Sequence, residues 1–273
     1  MRVLILLTVL CAVLLAVPTP ALADGDANAV HYYVSLGDSL AAGEQLPTNE
    51  NFGDEGYADQ LYVIEQATIP NLKLVKLGCG GETTTSMIVP VPVVPQGLYE
   101  GRGAHYHCNF PHGSQLKEAV SFLRAHRGFV SLVTIDIGGN DIFSPDGITA
   151  VQTNLPMILT ALREAAGPGV PIVGMNYYNP FVVEWFSNPA SLQDHIDGIV
   201  SFNDLLEGIY AAAGDPVADV ESAFSTTDTA PVGGVPLDVL RICQWTWMCA
   251  AGNIHPNTDG YGVIAQAFAD RLP

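Results

Sequence analysis

Four residue types in this sequence, a serine, a glycine, an asparagine and a histidine, together suit acyl transfer. Ser39 lies in the stretch Val34-Ser35-Leu36-Gly37-Asp38-Ser39-Leu40, where an alternating apolar run typical of a strand stops at a glycine. A serine hydroxyl is a weak nucleophile unless a base within about 2.6–3.2 Å takes its proton. The oxygen of the tetrahedral intermediate also needs preorganised hydrogen-bond donors. A base and donors must therefore come from elsewhere in the chain.

Three further motifs follow Ser39 along the chain. They are Gly80-Gly81-Glu82-Thr83, then Gly138-Gly139-Asn140-Asp141 after a strongly apolar strand, and Asn253-Ile254-His255-Pro256-Asn257 near the C-terminus. Together with the stretch around Ser39, and in this order, the three motifs resemble the four sequence blocks of the GDSL, or SGNH, family of serine esterases and lipases. Each block alone is common by chance, whereas four in order, each at a predicted strand end or loop, are a specific signal.

The resemblance implies a role for each of the four residues. Ser39 would be the nucleophile and His255 the base that takes its proton. The backbone N–H groups of Ser39 and Gly81 and the side-chain amide of Asn140 would form the oxyanion hole, and a glycine at 81 leaves room for the substrate oxygen. The expected enzyme is a carboxylic ester hydrolase with an acyl-enzyme intermediate, no cofactor and no metal.

The chain departs from the family pattern at the partner of His255. The family's last block reads Asp-x-x-His, and its aspartate fixes the imidazole tautomer, but Gly252 stands at that position here. We expect a backbone carbonyl near Gly252 to take this role, with a remote acid or Asn253 as alternatives. Asp259 is closer in sequence than other acids, but we expect it to cap the last helix.

Each candidate has a structural explanation as well. Ser39 and Asn140 could be turn or cap residues, Gly81 could serve a positive φ, and His255 could cap the final helix. The joint pattern outweighs these explanations. An α/β-hydrolase is disfavoured, since Ala41 replaces the second glycine of a Gly-x-Ser-x-Gly elbow.

The elements that must position these residues alternate between strand and helix. Strands are predicted near 33–37, 72–77, 129–137, 170–176 and 217–220, and the nearly continuous apolar run 129–137 is typical of a central parallel strand. Helices are predicted between them, one capped by Ser114, one beginning at Pro156 and the last beginning near Thr258. Tyr57, Leu61 and Ile64 should share a buried helical face. The pattern predicts a three-layer α/β/α sandwich with a mostly parallel sheet of about five strands, the flavodoxin-like fold that the resemblance also implies.

The N-terminal sequence predicts export, and the net charge bears on the possible partners. Residues 1–23 carry Arg2, an apolar run and Ala21-Leu22-Ala23, the pattern of a cleaved secretory signal rather than a membrane anchor, and 24–273 would be one catalytic domain. The chain has 10 basic and 28 acidic residues and a formal net charge of −18, so nucleic acid is excluded as a partner. We expect a secreted, extracellular monomer without a membrane anchor.

The cysteines fit an exported protein. Cleavage would remove Cys11 and leave Cys79, Cys108, Cys243 and Cys249, an even number that favours disulfides. Of the three pairings we prefer Cys79 with Cys108 and Cys243 with Cys249, because the second pair is close in sequence. Both bridges would then hold loops near Gly81 and His255, although they could equally act by restricting the unfolded chain.

Several apolar segments follow the predicted strands and indicate the substrate. A proline-rich run at 88–98, an aromatic run at 177–186 and a third at 235–247 would form a wall suited to an apolar acyl or aromatic group, unless they simply pack on the core. The expected substrate is therefore such an ester. Carbohydrate deacetylation, phospholipid deacylation and a catalytically impaired lipid- or glycan-binding relative are the alternatives. A metal site at His105, His107, Cys108 and His112 is disfavoured, because Cys108 is expected to be oxidised.

Overall fold

The sheet of this protein is all parallel and places the ends of its first and third strands side by side. A computed structural model describes residues 29–46, 54–89, 108 and 110–272. In this part of the chain the strands are β1 (His31–Gly37), β2 (Leu72–Lys76), β3 (Val130–Asp136), β4 (Ile172–Met175) and β5 (Val217–Ala218), in the order β2-β1-β3-β4-β5. This is a flavodoxin-like order, in which the crevice for a ligand opens between β1 and β3 at their carboxyl ends.

Helices cover the sheet and complete the three-layer α/β/α sandwich predicted from the sequence. One group packs α2 against α10, and the other packs α4 against α5 and α5 against α6. The helices are α1 (Ser39–Ala42), α2 (Tyr57–Glu65), α3 (Thr84–Ile88), α4 (Gln115–Ala125), α5 (Gly147–Ala166), α6 (Leu192–Ala213), α7 (Val220–Ala223), α8 (Leu237–Trp245), α9 (Met248–Ala251) and α10 (Thr258–Ala269). Short 3₁₀ helices span Asp141–Phe143, Pro180–Phe186 and Pro189–Ser191, and β6 (Pro231–Val232) pairs with β7 (Val235–Pro236) in a small antiparallel ribbon.

The central strands are buried because helices lie on both sides of them. Leu132, Val133 and Ile135 of β3 are all inaccessible to solvent, as the continuous apolar run predicted. Ser114 caps α4 by accepting a hydrogen bond from the Lys117 N–H, which confirms that prediction.

Three local predictions were wrong. Helix α5 begins at Gly147 and contains Pro156, because the buried apolar face that includes Val151, Leu155 and Ile158 continues on both sides of the proline. Asn257, rather than Asp259, caps α10 by accepting from the Gly260 N–H. Ile64 is 39% exposed, so the buried face of α2 is narrower than its periodicity indicates. The predicted signal segment 1–23 and most of the proline-rich run 88–98 lie outside the described residues.

Candidate active site

Ser39 and His255 are in direct contact although 216 positions separate them in the chain. The Ser39 Oγ lies 2.9 Å from the His255 Nε2. Ser39 is the first residue of α1 and is separated from the end of β1 by Asp38 alone, and His255 lies in the loop between α9 and α10. Both side chains are buried. The fold therefore brings a hydroxyl and an imidazole together where little water can compete for either group.

The turn before Ser39 is fixed by its neighbours on β3. Gly37 has a φ of 137°, and a Cβ there would lie 2.2 Å from the Asp136 carbonyl oxygen, so glycine is required. The Asp38 N–H donates to that same carbonyl at 3.2 Å, and the Asp38 Oδ1 accepts from the Leu40 N–H at 2.9 Å. Asp38 thus caps α1, as expected of a residue that organises the turn.

The tautomer of His255 follows from its contacts with Asn253. The Asn253 Oδ1 lies 2.9 Å from the His255 backbone N–H and 2.8 Å from the ring Nδ1. Because a backbone N–H can only donate, the Asn253 atom that faces it must be the amide oxygen, and that oxygen can only accept. The Nδ1 therefore carries the ring proton, and the unprotonated Nε2 faces the Ser39 hydroxyl. Among the three alternatives considered from the sequence, the geometry favours Asn253 over a backbone carbonyl near Gly252.

The loop that carries His255 is held against the segment between α8 and α9. The Trp247 N–H donates to the His255 carbonyl at 3.0 Å, and the Asn257 N–H donates to the Trp245 carbonyl at 3.0 Å. The Tyr178 hydroxyl donates to the Ile254 carbonyl at 2.7 Å. The position of the imidazole is therefore set by backbone contacts on both sides of it.

Both disulfides lie next to these loops. Cys243 pairs with Cys249 across the segment that contacts the His255 loop, and Cys79 pairs with Cys108 just before the Gly81 turn. Their Cα atoms are 5.0 Å and 5.9 Å apart, respectively. This is the pairing favoured from the sequence.

Glu82 connects the turn that contains Gly81 to the side chain of Asn140. The Glu82 N–H donates to the Cys79 carbonyl at 3.1 Å, and Gly81, with a φ of 70°, occupies the third position of this tight turn, where glycine is favoured. The Asn140 Nδ2 donates to the Glu82 carbonyl at 3.0 Å, which leaves its second amide hydrogen for another acceptor. Within the described part of the chain, no acceptor faces the backbone N–H of Ser39 or of Gly81.

A buried glutamine joins this turn to the end of β1. The Gln115 side chain accepts from the Gly37 N–H at 2.8 Å, donates to the Gly37 carbonyl at 2.9 Å and donates to the Glu82 Oε2 at 3.1 Å. Burial raises the pKa of Glu82 to about 7, against the hydrogen bonds from Ser86 and Gln115. Sequence reasoning assigned no role to Gln115, and its position at the start of α4 gave no signal of one.

Two carboxyl groups lie side by side beneath Ser39. Burial raises the pKa of Asp38 to about 6, and burial together with the neighbouring Asp38 charge raises the pKa of Asp136 well above its usual range. The Tyr57 hydroxyl donates to the Asp136 Oδ1 at 2.5 Å, and the Tyr177 hydroxyl lies 3.4 Å from the Asp38 Oδ2. The pair therefore holds a proton above the pH at which isolated aspartates lose theirs.

A cavity of about 380 Å³ opens onto this site. Ser39, Asn140 and His255 line it, whereas Gly81 is exposed on its turn and does not belong to the cavity wall. Much of the remaining wall is apolar, and it comes from the residues after β3, the segment after β4 and helix α6, including Ile142, Phe143, Ile148, Phe181, Ile199 and Phe202. Of the predicted aromatic run 177–186, residues 177–181 line the cavity and 182–186 do not, and none of 235–247 lines it.

The described residues contain no candidate metal site. The His112 Nδ1 lies 2.6 Å from the Glu118 Oε2. No cluster of three or more metal-ligating side chains occurs among the described residues. His105 and His107 lie outside them. No helix that the structure describes is both long and apolar enough to cross a bilayer.

Comparison with known proteins gives one family and a common fold. The model of the GDSL-like Lipase/Acylhydrolase family matches residues 35–263. An acetylxylan esterase from Geobacillus stearothermophilus is similar in structure, with a TM-score of 0.56 and 14% identity over 89% of this chain and 94% of that one. An extracellular lipase from Streptomyces rimosus has a TM-score of 0.53 and 17% identity over 89% and 100% of the two chains. No curated protein matches the sequence.

Proposed function

We propose that this chain, which belongs to the GDSL-like lipase/acylhydrolase family and is a carboxylic ester hydrolase, uses Ser39 as its nucleophile and His255 as its general base. The observation that carries the proposal is the 2.9 Å contact between the Ser39 Oγ and the unprotonated His255 Nε2. A base at this distance can take the hydroxyl proton as the oxygen attacks.

The reaction would run in two halves through an acyl-enzyme. The Ser39 Oγ bonds to the ester carbonyl carbon, its proton passes to the His255 Nε2, and the carbonyl electron pair moves to the oxygen. When the intermediate collapses, the bond to the leaving alcohol breaks and the Nε2 proton passes to that alcohol. Water then repeats the sequence on the acyl-enzyme, which releases the carboxylic acid and restores Ser39.

The negative oxygen of the intermediate would be bound by three donors. We assign these to the backbone N–H groups of Ser39 and Gly81 and to the second amide hydrogen of Asn140. The hydrogen bond from Asn140 to the Glu82 carbonyl supports this assignment, because it ties the amide to the Gly81 turn and fixes its direction before substrate arrives. Asn253 would hold the imidazole in the reactive tautomer.

A direct test is covalent labelling by a fluorophosphonate, which reacts with an activated serine. We expect one label per chain, located on Ser39 by mass spectrometry of its peptides. Labelling of another serine, or equal labelling of a Ser39→Ala variant, would contradict the proposal.

The activity should persist to lower pH than an ordinary histidine base permits. Burial lowers the pKa of His255 below its usual 6.5, against a smaller opposing effect of Glu44. Because the base acts only when unprotonated, kcat/KM should fall with decreasing pH at a midpoint below 6.5. A pH–rate profile on a soluble ester checks this, and a midpoint at or above 6.5 would contradict it.

We further propose that the ester carries an apolar acyl or aryl group larger than acetyl. The apolar wall of the cavity and its volume support this class over a bare sugar acetate. The protein would act outside the cell, which the N-terminal signal pattern and the two disulfides support.

Phe143 offers a test of the acyl preference. Its side chain lines the cavity, and its ring packs edge-on against the Phe181 ring, with the two ring centroids 6.2 Å apart. Phe143→Ser should lower kcat/KM for p-nitrophenyl hexanoate about 10-fold more than for the acetate, since about 1–2 kcal/mol of apolar contact is lost. Phe129→Ser is the matched control, because Phe129 is 49% exposed against 51% for Phe143 but lies away from the cavity. Equal losses for both esters would refute the assignment.

A further inference from the structure

The partner of the His255 Nδ1 is an amide oxygen and not a carboxylate. Asn253 accepts the Nδ1 hydrogen of His255 but carries no net charge. During the reaction the imidazole becomes a cation, and a neutral amide stabilises this cation less than a carboxylate would. A negative charge from another direction would therefore lower the barrier.

A carboxylate lies close to the other ring nitrogen. The Glu44 Oε2 is 3.8 Å from the His255 Nε2, and the two side chains are only 13% and 10% exposed. At this separation, and with so little solvent, an ionic interaction is screened far less than on the surface. Glu44 lies two residues after the end of α1, and no sequence motif marked it as a candidate.

The backbone holds Glu44 over Ser39 independently of its side chain. Gly43 ends α1 in the left-handed conformation with a φ of 78°, which turns the chain back on itself. The Glu44 N–H then donates to the Ser39 carbonyl at 2.9 Å, and the Tyr261 hydroxyl donates to the Glu44 carbonyl at 2.6 Å. The backbone of Glu44 is thus fixed by contacts with α1 and α10 before any substrate binds.

We propose that Glu44 supplies the negative charge that stabilises the His255 imidazolium, in place of the aspartate that the family pattern puts three residues before the histidine. The inference rests on the proposed function of Ser39 and His255. Glu44 neither gains nor loses a proton in the reaction. Its carboxylate acts through His255, while the proton moves from the Ser39 Oγ to the Nε2 and on to the leaving alcohol.

The other titratable groups around His255 do not supply this charge. Tyr178 and Tyr261 stay neutral, because burial raises the pKa of both hydroxyls well above the ordinary 10. Asp38 lines the same cavity, but its carboxylate accepts a hydrogen bond from the Leu40 N–H and is buried beside the carboxyl group of Asp136. Among the described residues, Glu44 is the charge that raises the pKa of His255 against the effect of burial.

The test is Glu44→Gln, which keeps the shape and removes the charge. We expect kcat to fall about 10- to 100-fold with KM nearly unchanged, because the interaction forms fully only when the imidazole is charged. The low-pH midpoint of kcat/KM should also move down by roughly one pH unit, since an opposite charge at this distance favours the protonated ring. A loss caused by misfolding would not shift this midpoint.

Two further variants complete the experiment. Glu55→Gln makes the same charge change where the carboxylate accepts from the Thr258 hydroxyl, and it should leave the midpoint unchanged. Asn253→Asp in the Glu44→Gln background returns a charge to the ring from the Nδ1 side, and it should recover activity and raise the midpoint. If Glu44→Gln does not fold, Glu44→Asp, which withdraws the charge by one methylene, should show a smaller shift in the same direction.

The outcomes separate this inference from the proposed function. If Ser39→Ala and His255→Gln abolish turnover while the folded Glu44 variant keeps the wild-type kcat and midpoint, the role of Glu44 is wrong and the dyad stands. An equal effect of Glu55→Gln would also overturn it. Turnover that survives in the Ser39 variant would instead refute the proposed function.

Discussion

Ser39→Ala is expected to lower kcat by about 10⁴- to 10⁶-fold, because it removes the nucleophile itself. The hydroxyl oxygen forms the bond to the acyl carbon. Among the described side chains, Ser39 is the one whose hydroxyl lies within hydrogen-bond distance of the His255 Nε2, at 2.9 Å. The measurement is steady-state hydrolysis of a p-nitrophenyl ester. A Ser39→Ala, His255→Gln double variant should be hardly less active than either single variant, because the two residues act as one unit.

Ser35→Ala is the matched control for the serine variant. Ser35 is a fully buried serine of the same strand that precedes Ser39, but it does not line the cavity. Its replacement should leave kcat within a few-fold of the wild-type value. If Ser39→Ala hydrolysed esters as fast as Ser35→Ala, the serine mechanism would have to be abandoned.

The second large effect is expected at Asn140. Asn140→Ala should lower kcat about 10²- to 10³-fold with a small change in KM, because an oxyanion donor acts mainly in the transition state. The hydrogen bond from its amide to the Glu82 carbonyl is lost as well, so the thermal midpoint of unfolding should be recorded beside the kinetics.

A second asparagine controls for the loss of an amide contact to the same region. The Asn154 Nδ2 donates to the Thr85 hydroxyl at 3.0 Å on α3, close in sequence to Glu82, but Asn154 does not line the cavity. Asn154→Ala should affect stability and leave kcat nearly unchanged. Equal falls in kcat for the two variants would mean that Asn140 acts through structure alone.

Much of the fold could be predicted because its signals are local. The continuous apolar run of β3 can be buried only in the middle of a parallel sheet, and alternation with amphipathic helices fixes the layers. The start of α5 was wrong for a local reason too: Pro156 is a strong signal for a first turn, but packing of the helix on both sides of it outweighed that preference.

Part of the candidate site could also be predicted from the sequence. Strand ends in a parallel sheet meet at one edge, so the motifs at Ser39 and Asn140 were expected to converge. The spacing of Asn253 and His255 also carried a signal, since an asparagine side chain readily accepts from a backbone N–H two residues on. Nothing local marked Glu44 or Gln115, whose partners are distant in the chain.

The sequence by itself determined which chemical groups were present, the alternation of strands and helices, and the order of four motifs that resemble one enzyme family. The tertiary structure decided what those groups touch: that the ring proton of His255 meets an amide oxygen, and that a carboxylate from the other end of the chain faces the opposite nitrogen. Hydrogen bonds and ionic contacts depend on distances of a few ångströms between residues far apart in sequence. Such distances are fixed only when the whole chain packs.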